Sequence, residues 1–227
     1  MEKYVIIVAG GMGSRMNSGI PKQFIPINNK PILMHTIQNF RNFEAKMKII
    51  LVLPAEHIKL WKELCTEFHF DVEHQIVRGG KERFYSVKNG LKPVPMDALV
   101  LIHDGVRPLV SHQTIERTIE QAVKGGNAVP CVKIVDSMRK ISSENSKIVS
   151  RDEYRLIQTP QVFHASLIKH AYQKRFRKNF TDDASVLESF GIKINLVEGN
   201  QSNIKITQPI DITIAEALIS SELPVIL

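Results

Sequence analysis

Residues 3–24 read KYVIIVAGGMGSRMNSGIPKQF, and the fold turns on how this stretch is read. Tyr4 to Ala9 is a continuous, mainly β-branched apolar run closed by glycines, the pattern of a buried strand. Gly10, Gly11 and Gly13 follow. Residues without a Cβ let the backbone approach a ligand and turn its N–H groups onto phosphate oxygens. Arg15 and Lys22 add the positive charge that a triphosphate demands. The loop is not a Walker A motif, because no Gly-Lys-Ser/Thr follows. It is not a Rossmann fingerprint either, because Met16 stands where the third glycine would be.

Outward from this loop the chain alternates. Pro31 precedes Ile32, Leu33, Ile37 and Phe40 at helical spacing, and Lys48–Leu53 is a second strand closed by Pro54. Residues 55–68 carry Ile58, Trp61, Leu64, Cys65 and Phe68 along one helix face. Gln75–Val77 is a short strand ending at Gly79 and Gly80, and Tyr85–Leu91 is helical. Ala98–His103 is another buried strand, Ser111 is a candidate N-cap for a helix to about Lys124, and Asn127–Val132 is strand again. Ile192–Val197 reads as strand, and Thr207 with Pro209 opens a last helix.

This order predicts an α/β fold: one Rossmann-like domain over residues 1–227, its mostly parallel sheet covered by helices on both faces. Ligands in such sheets bind beyond the carboxyl ends of strands, here the loops after Ala9, Val77 and His103. Residues 133 to about 156 break the alternation. Two short apolar runs around the polar tip Ser142–Lys147 read as a projecting β-hairpin arm. Such an arm is marginal alone, so packing against a second subunit is expected.

The 227 residues, 43% hydrophobic and 23% charged, suffice for one sizeable core. No stretch approaches the roughly 20 apolar residues of a membrane span, and the opening apolar run is too short for a signal peptide. A cytoplasmic protein without a membrane partner is expected. Cys65 and Cys131 lack metal-ligand spacing and read as buried thiols. The net charge of +7 suits nucleic acid or polyphosphate. The cations are dispersed except for KRFRK at 174–178, read as a solvated face. No basic strip interleaved with aromatics is present, so nucleic acid is not an expected partner.

The motifs then become specific. The loop AGGMGSRM followed by PKQF resembles the nucleotidyltransferase loop of sugar-phosphate cytidylyltransferases. RGGKERFYSVKNGL (78–91), HDGVRP (103–108), VDSMRK (135–140), TPQVF (159–163), TDDAS (181–185) and VEGNQSNIKIT (197–207) resemble further segments of the same family, in its order. The chain is thereby similar to the 2-C-methyl-D-erythritol 4-phosphate cytidylyltransferases of the non-mevalonate isoprenoid pathway. There are departures. The family commonly opens PAAG, and Ala9-Gly10-Gly11 is closer to the related ribitol 5-phosphate cytidylyltransferases, which keeps that activity as an alternative. Lys81 stands where the family often has an acid, and Ser137 stands where it has Thr.

The resemblance implies transfer of CMP from CTP to the polyol phosphate, with Mg²⁺ as cofactor. By its motifs Lys22 meets the α-phosphate in the transition state, Arg15 holds the phosphates of CTP and Lys205 reaches the reacting phosphate. Backbone groups at Ala9, Gly10 and Gly80 and the Ser86 hydroxyl match base contacts; Gly11 and Gly13 complete the nucleotide loop, and Arg83 braces it. Asp104 corresponds to a contact for Mg²⁺ and substrate, and Arg107 to one for the substrate phosphate. Ser137, Arg151, Thr159 and Thr181 match substrate-side positions. The family also implies a homodimer through the arm, with Arg151 reaching the neighbour's site.

Overall fold

The computed structural model describes residues 1–11, 20–143 and 145–220. In chain order the elements begin with strand β1 (Lys3–Val8), a short hairpin of β2 (Pro26–Ile27) and β3 (Lys30–Pro31), helix α1 (Ile32–Phe43), β4 (Lys48–Leu53), α2 (Ile58–Glu67), β5 (Gln75–Arg78) and α3 (Arg83–Gly90). Then come β6 (Leu99–Asp104), α4 (His112–Gly125), β7 (Asn127–Lys133), β8 (Met138–Ile141), β9 (Ser146–Val149) and β10 (Arg155–Ile157). The chain continues through β11 (Gln161–His164), α5 (Ala165–Ala171), α6 (Asp183–Glu188), β12 (Leu196–Glu198) and α7 (Pro209–Ser220).

The main sheet runs β10-β7-β11-β6-β1-β4-β5, with β12 also on β7. Strands β5, β4, β1 and β6 are mutually parallel, and β12 is parallel to β7. The strand residues alternate between two apolar layers. Ile7, Leu51 and Leu101 pack with Leu33, Ile37 and Phe40 of α1, Trp61 of α2 and Ile115 of α4. Ile6, Val52 and Ile102 pack with Phe84 and Val87 of α3, Ile168 of α5 and Leu187 of α6. The apolar runs lack polar alternation because both sheet faces are covered. Ser111 caps α4 as expected, its Oγ accepting from the Thr114 N–H at 3.1 Å.

Several expectations change. β11 was visible only as part of a motif. It inserts between β6 and β7 and runs antiparallel to both. Four residues directly after Pro160 carry too little periodicity to declare a strand. The strand expected at Ile192–Val197 contracts to β12. Ahead of it the Asn127 side chain replaces ladder bonds, donating to the Lys193 carbonyl at 3.0 Å and accepting from the Asn195 N–H at 2.9 Å. The arm pairs only β8 with β9, whereas residues 155–157 belong to the main sheet on β7.

The basic run is partly an anchor. Lys174 sits 3.9 Å above the Phe190 ring and Phe176 packs on Phe84, while Arg175, Arg177 and Lys178 are exposed. Cys131 is buried and Cys65 half-buried, and burial pushes the Cys65 thiol up to about 11.

Candidate active site

The carboxyl ends of β1, β5 and β6 open into one cleft of about 250 Å³. It gathers Ala9, Gly10, Gly11, Lys22, Gly80, Arg83, Ser86, Asp104 and Lys205 from five separate stretches of sequence. Gly13 and Arg15 lie outside the described residues. The Lys22 side chain lies against Gly11: a Cβ there would stand 3.0 Å from its Cε.

Asp104 ends β6 with its side chain 11% exposed and three cations around it. Lys205 Nζ is 3.0 Å from Oδ2, Arg107 Nε is 3.4 Å from Oδ2, and Arg83 Nε is 3.6 Å from Oδ1. Burial alone would raise this carboxyl. The charges of Arg83, Lys205 and Arg107 outweigh burial and hold it well below the usual carboxylate range.

Each cation is placed by its own scaffold. Arg107 donates through Nη1 to the Asn203 carbonyl at 2.6 Å. Lys205 lies between Ile204 and Ile206. Both pack into a small core with Ile27, Ile32 and Val106, and the Ile206 N–H donates to the Val106 carbonyl at 3.0 Å. Arg83 forms a bidentate pair with Asp183, at 2.9 Å and 2.7 Å. In the sequence Asp183 appears only within TDDAS, and no local pattern joins positions one hundred apart.

His103 precedes Asp104 and is fully buried. Its Nε2 lies 2.9 Å from the Arg107 carbonyl, which can only accept, so that nitrogen carries the proton. Nδ1 then accepts from the Thr159 hydroxyl at 3.0 Å, and the Thr159 oxygen accepts from the Asp104 N–H at 3.1 Å. Asn203 Nδ2 donates to the Thr159 carbonyl at 2.8 Å. The single Thr159 proton is therefore committed inside the protein rather than to the cleft. Burial pushes the His103 imidazole down to about 4, so it is neutral at ordinary pH.

On the nucleotide side, Ser86 Oγ accepts from the Gly80 N–H at 3.1 Å and pins that turn. A Cβ on Gly80 would lie 2.3 Å from Tyr85 Cβ, so only glycine fits. The Ala9 N–H already donates to the Val52 carbonyl at 3.0 Å, while its carbonyl accepts from Gln23 Nε2 at 3.0 Å. Fully buried Gln23, seen in the sequence only as part of PKQF, thus holds the end of β1.

Other expected site residues stand apart. Ser137 and Arg151 are exposed on and beside the arm and do not line this cleft. Thr181 is exposed and does not line the cleft either. The next residue, Asp182, caps α6, its side chain accepting from the Ser185 N–H at 2.9 Å in a capping box with Ser185.

A cleft with Lys22, Arg83 and Lys205 on its walls suits phosphate groups. Comparison with known proteins gives the family. Residues 3–221 match the family model of 2-C-methyl-D-erythritol 4-phosphate cytidylyltransferase, IspD. The chain belongs to this family. The IspD of Bacteroides thetaiotaomicron is 51% identical over 219 residues, covering 96% of this chain and all of the relative. Among solved structures, 4-diphosphocytidyl-2C-methyl-D-erythritol synthase from Anaerococcus prevotii superposes with TM-score 0.81 at 30% identity, over 96% of each chain. The Thermus thermophilus cytidylyltransferase gives 0.79 at 30% identity, over 96% of this chain and 98% of its own.

The relay through His103 makes a pH prediction. Unfolded histidine takes up its proton near pH 6.5, whereas folded His103 does so near pH 4. The unfolded state binds the extra proton first, so this residue's contribution to stability falls as pH drops from about 6.5 to about 4. In NMR titrations the His103 ring should stay neutral, protonated at Nε2, down to about pH 5. A His103 midpoint near 6.5 would contradict the relay.

Proposed function

We propose that this chain transfers CMP from CTP to 2-C-methyl-D-erythritol 4-phosphate, releasing pyrophosphate and 4-diphosphocytidyl-2-C-methyl-D-erythritol. The observation that carries this reading is the gathering of Lys22, Arg83, Arg107 and Lys205 about Asp104 at the carboxyl ends of the strands, in a member of this family. An oxygen of the acceptor phosphate attacks the α-phosphorus of CTP. The new phosphorus–oxygen bond forms as the bond to the β-phosphate bridge breaks, and pyrophosphate leaves with that electron pair. The attacking phosphate is already ionised, so the protein needs no general base. Its task is to position two anions and stabilise the charge that spreads in the transition state.

In this reading Lys22 meets the α-phosphate and Arg15 holds the phosphates of CTP. Lys205 and Arg107 hold the acceptor phosphate, and Asp104 fixes both of these cations. The Gly80 turn, pinned by Ser86, and the backbone after Ala9 face cytosine. Thr159 serves indirectly, by fixing His103 and the Asp104 backbone.

Mg²⁺ fits as an ion carried by the triphosphate. Among the described residues no group of three or more His, Cys, Asp or Glu converges, and Asp104 already faces three cations. Asp104 would be its protein contact, and the ion would supply neutralisation of the triphosphate charge. No described helix is long and apolar enough to cross a membrane, and we expect the enzyme to act in the cytoplasm.

The substrate assignment is tested by pyrophosphate release with CTP and either 2-C-methyl-D-erythritol 4-phosphate or ribitol 5-phosphate. Release should require the divalent ion and favour the methylerythritol substrate by at least about tenfold in kcat/KM. Equal or reversed preference would favour the ribitol reading suggested by Ala9-Gly10-Gly11.

We further propose that the enzyme is a twofold dimer whose arms complete each other's sites. Ile141 and Ile148 are 72% and 77% exposed, and the register puts them on one face of the β8–β9 hairpin. A second copy would cover that face reciprocally. Arg151, beside the arm and outside its own cleft, would then serve the neighbour. Arg151→Ala and Lys22→Ala proteins, each inactive, should regain about a quarter of parental activity after equal mixing and subunit exchange, because about half of the dimers are then mixed and each has one site with neither defect. A mixture that stays inactive after verified exchange would place Arg151 in its own subunit's service.

A further inference from the structure

We propose that Asp183 and Tyr172, which do not line the cleft, are positioning residues for the reaction, acting through Arg83 on Asp104. The inference rests on the reading of Asp104 as part of the reacting site. Asp183 opens α6 and is fully buried. Its carboxylate takes both terminal nitrogens of Arg83, at 2.9 Å and 2.7 Å, and the Tyr172 hydroxyl at 2.6 Å. Arg83 therefore turns its fork to Asp183 and its Nε edge to Asp104, at 3.6 Å.

A guanidinium can grip only one carboxylate with a given pair of N–H groups. With Asp183 neutralised, the fork is released toward Asp104, its other carboxylate partner. Asp104 would then be drawn from Lys205 and Arg107, the two cations proposed to hold the acceptor phosphate. Asp183 keeps Asp104 shared.

The holder is itself rigid. Gln161 of β11 donates to Asp182 at 2.7 Å and accepts from the Ala184 N–H at 2.8 Å. β11 pairs directly with β6, with Gln161 opposite Ile102, two residues before Asp104. A closed circuit thus runs from β6 through β11, α6 and Arg83 back to Asp104. The Tyr172 ring stacks on Phe84, the neighbour of Arg83, at 4.7 Å between centroids. Burial, with the Asp183 charge beside it, raises the phenol well above its ordinary value, so it remains a donor.

The test is steady-state kinetics on the parent, Asp183→Asn, Tyr172→Phe, Arg83→Lys and the Arg83→Lys/Asp183→Asn double variant. Assays are run where thermal melts show each protein folded. Asp183→Asn should lower kcat by at least about tenfold while the KM for CTP moves by less than about twofold. The double variant should be no slower than Arg83→Lys alone, since a lysine has no fork for Asp183 to hold away from Asp104. A folded Asp183→Asn protein with parental kcat, or losses that multiply in the double variant, would overturn the proposal. Should Asp183→Asn fail to fold, Tyr172→Phe decides, because it removes a single hydroxyl. A lower kcat at unchanged CTP KM supports the proposal and a parental kcat overturns it. A parent that releases no pyrophosphate from these substrates would instead overturn the functional reading.

Discussion

One nearly buried carboxylate organises the cleft. Taking the Asp104 charge out of water costs several kcal/mol, and only close, well-placed cations offset that. Lys205, Arg107 and Arg83 do so from three different parts of the chain, at 3.0 Å, 3.4 Å and 3.6 Å. Three cations crowded around one point repel each other, and Asp104, with Asp183 on Arg83, offsets that repulsion.

Around this centre the fold supplies fixed backbone. β6 delivers Asp104, and the His103–Thr159 relay ties its N–H to the segment ahead of β11. Asn203 binds that same segment and also presents its carbonyl to Arg107, so the loop carrying Lys205 registers against the loop carrying Arg107. These bonds are made inside the protein, where they are not screened by solvent. The result is a set of cations held in place before any ligand arrives, the arrangement that electrostatic preorganisation requires.

The sequence made much of this legible, for physical reasons that differ by element. β1, β4 and β6 are apolar runs buried on both faces, and glycines after β1 and β5 mark turns that line the cleft. Lys22, Asp104 and Lys205 follow such signals or a motif, and all line the cleft. The Arg83–Asp183 pair was hidden because a salt bridge between distant positions leaves no local pattern. Thr159 matched a substrate-side motif, yet its proton points to His103, because a hydroxyl's direction is set by tertiary neighbours. β11 escaped because four residues give no usable period.

The single-turnover rate of CMP transfer in Asp104→Asn, measured beside CTP affinity, tests the role of this carboxylate most directly. Asparagine keeps the shape of the side chain and removes the charge that three cations share. The rate should fall by about 10²–10³ while CTP affinity changes by less than about tenfold. A folded Asp104→Asn protein that transfers CMP within about twofold of the parental rate would contradict the claim that this carboxylate organises the site.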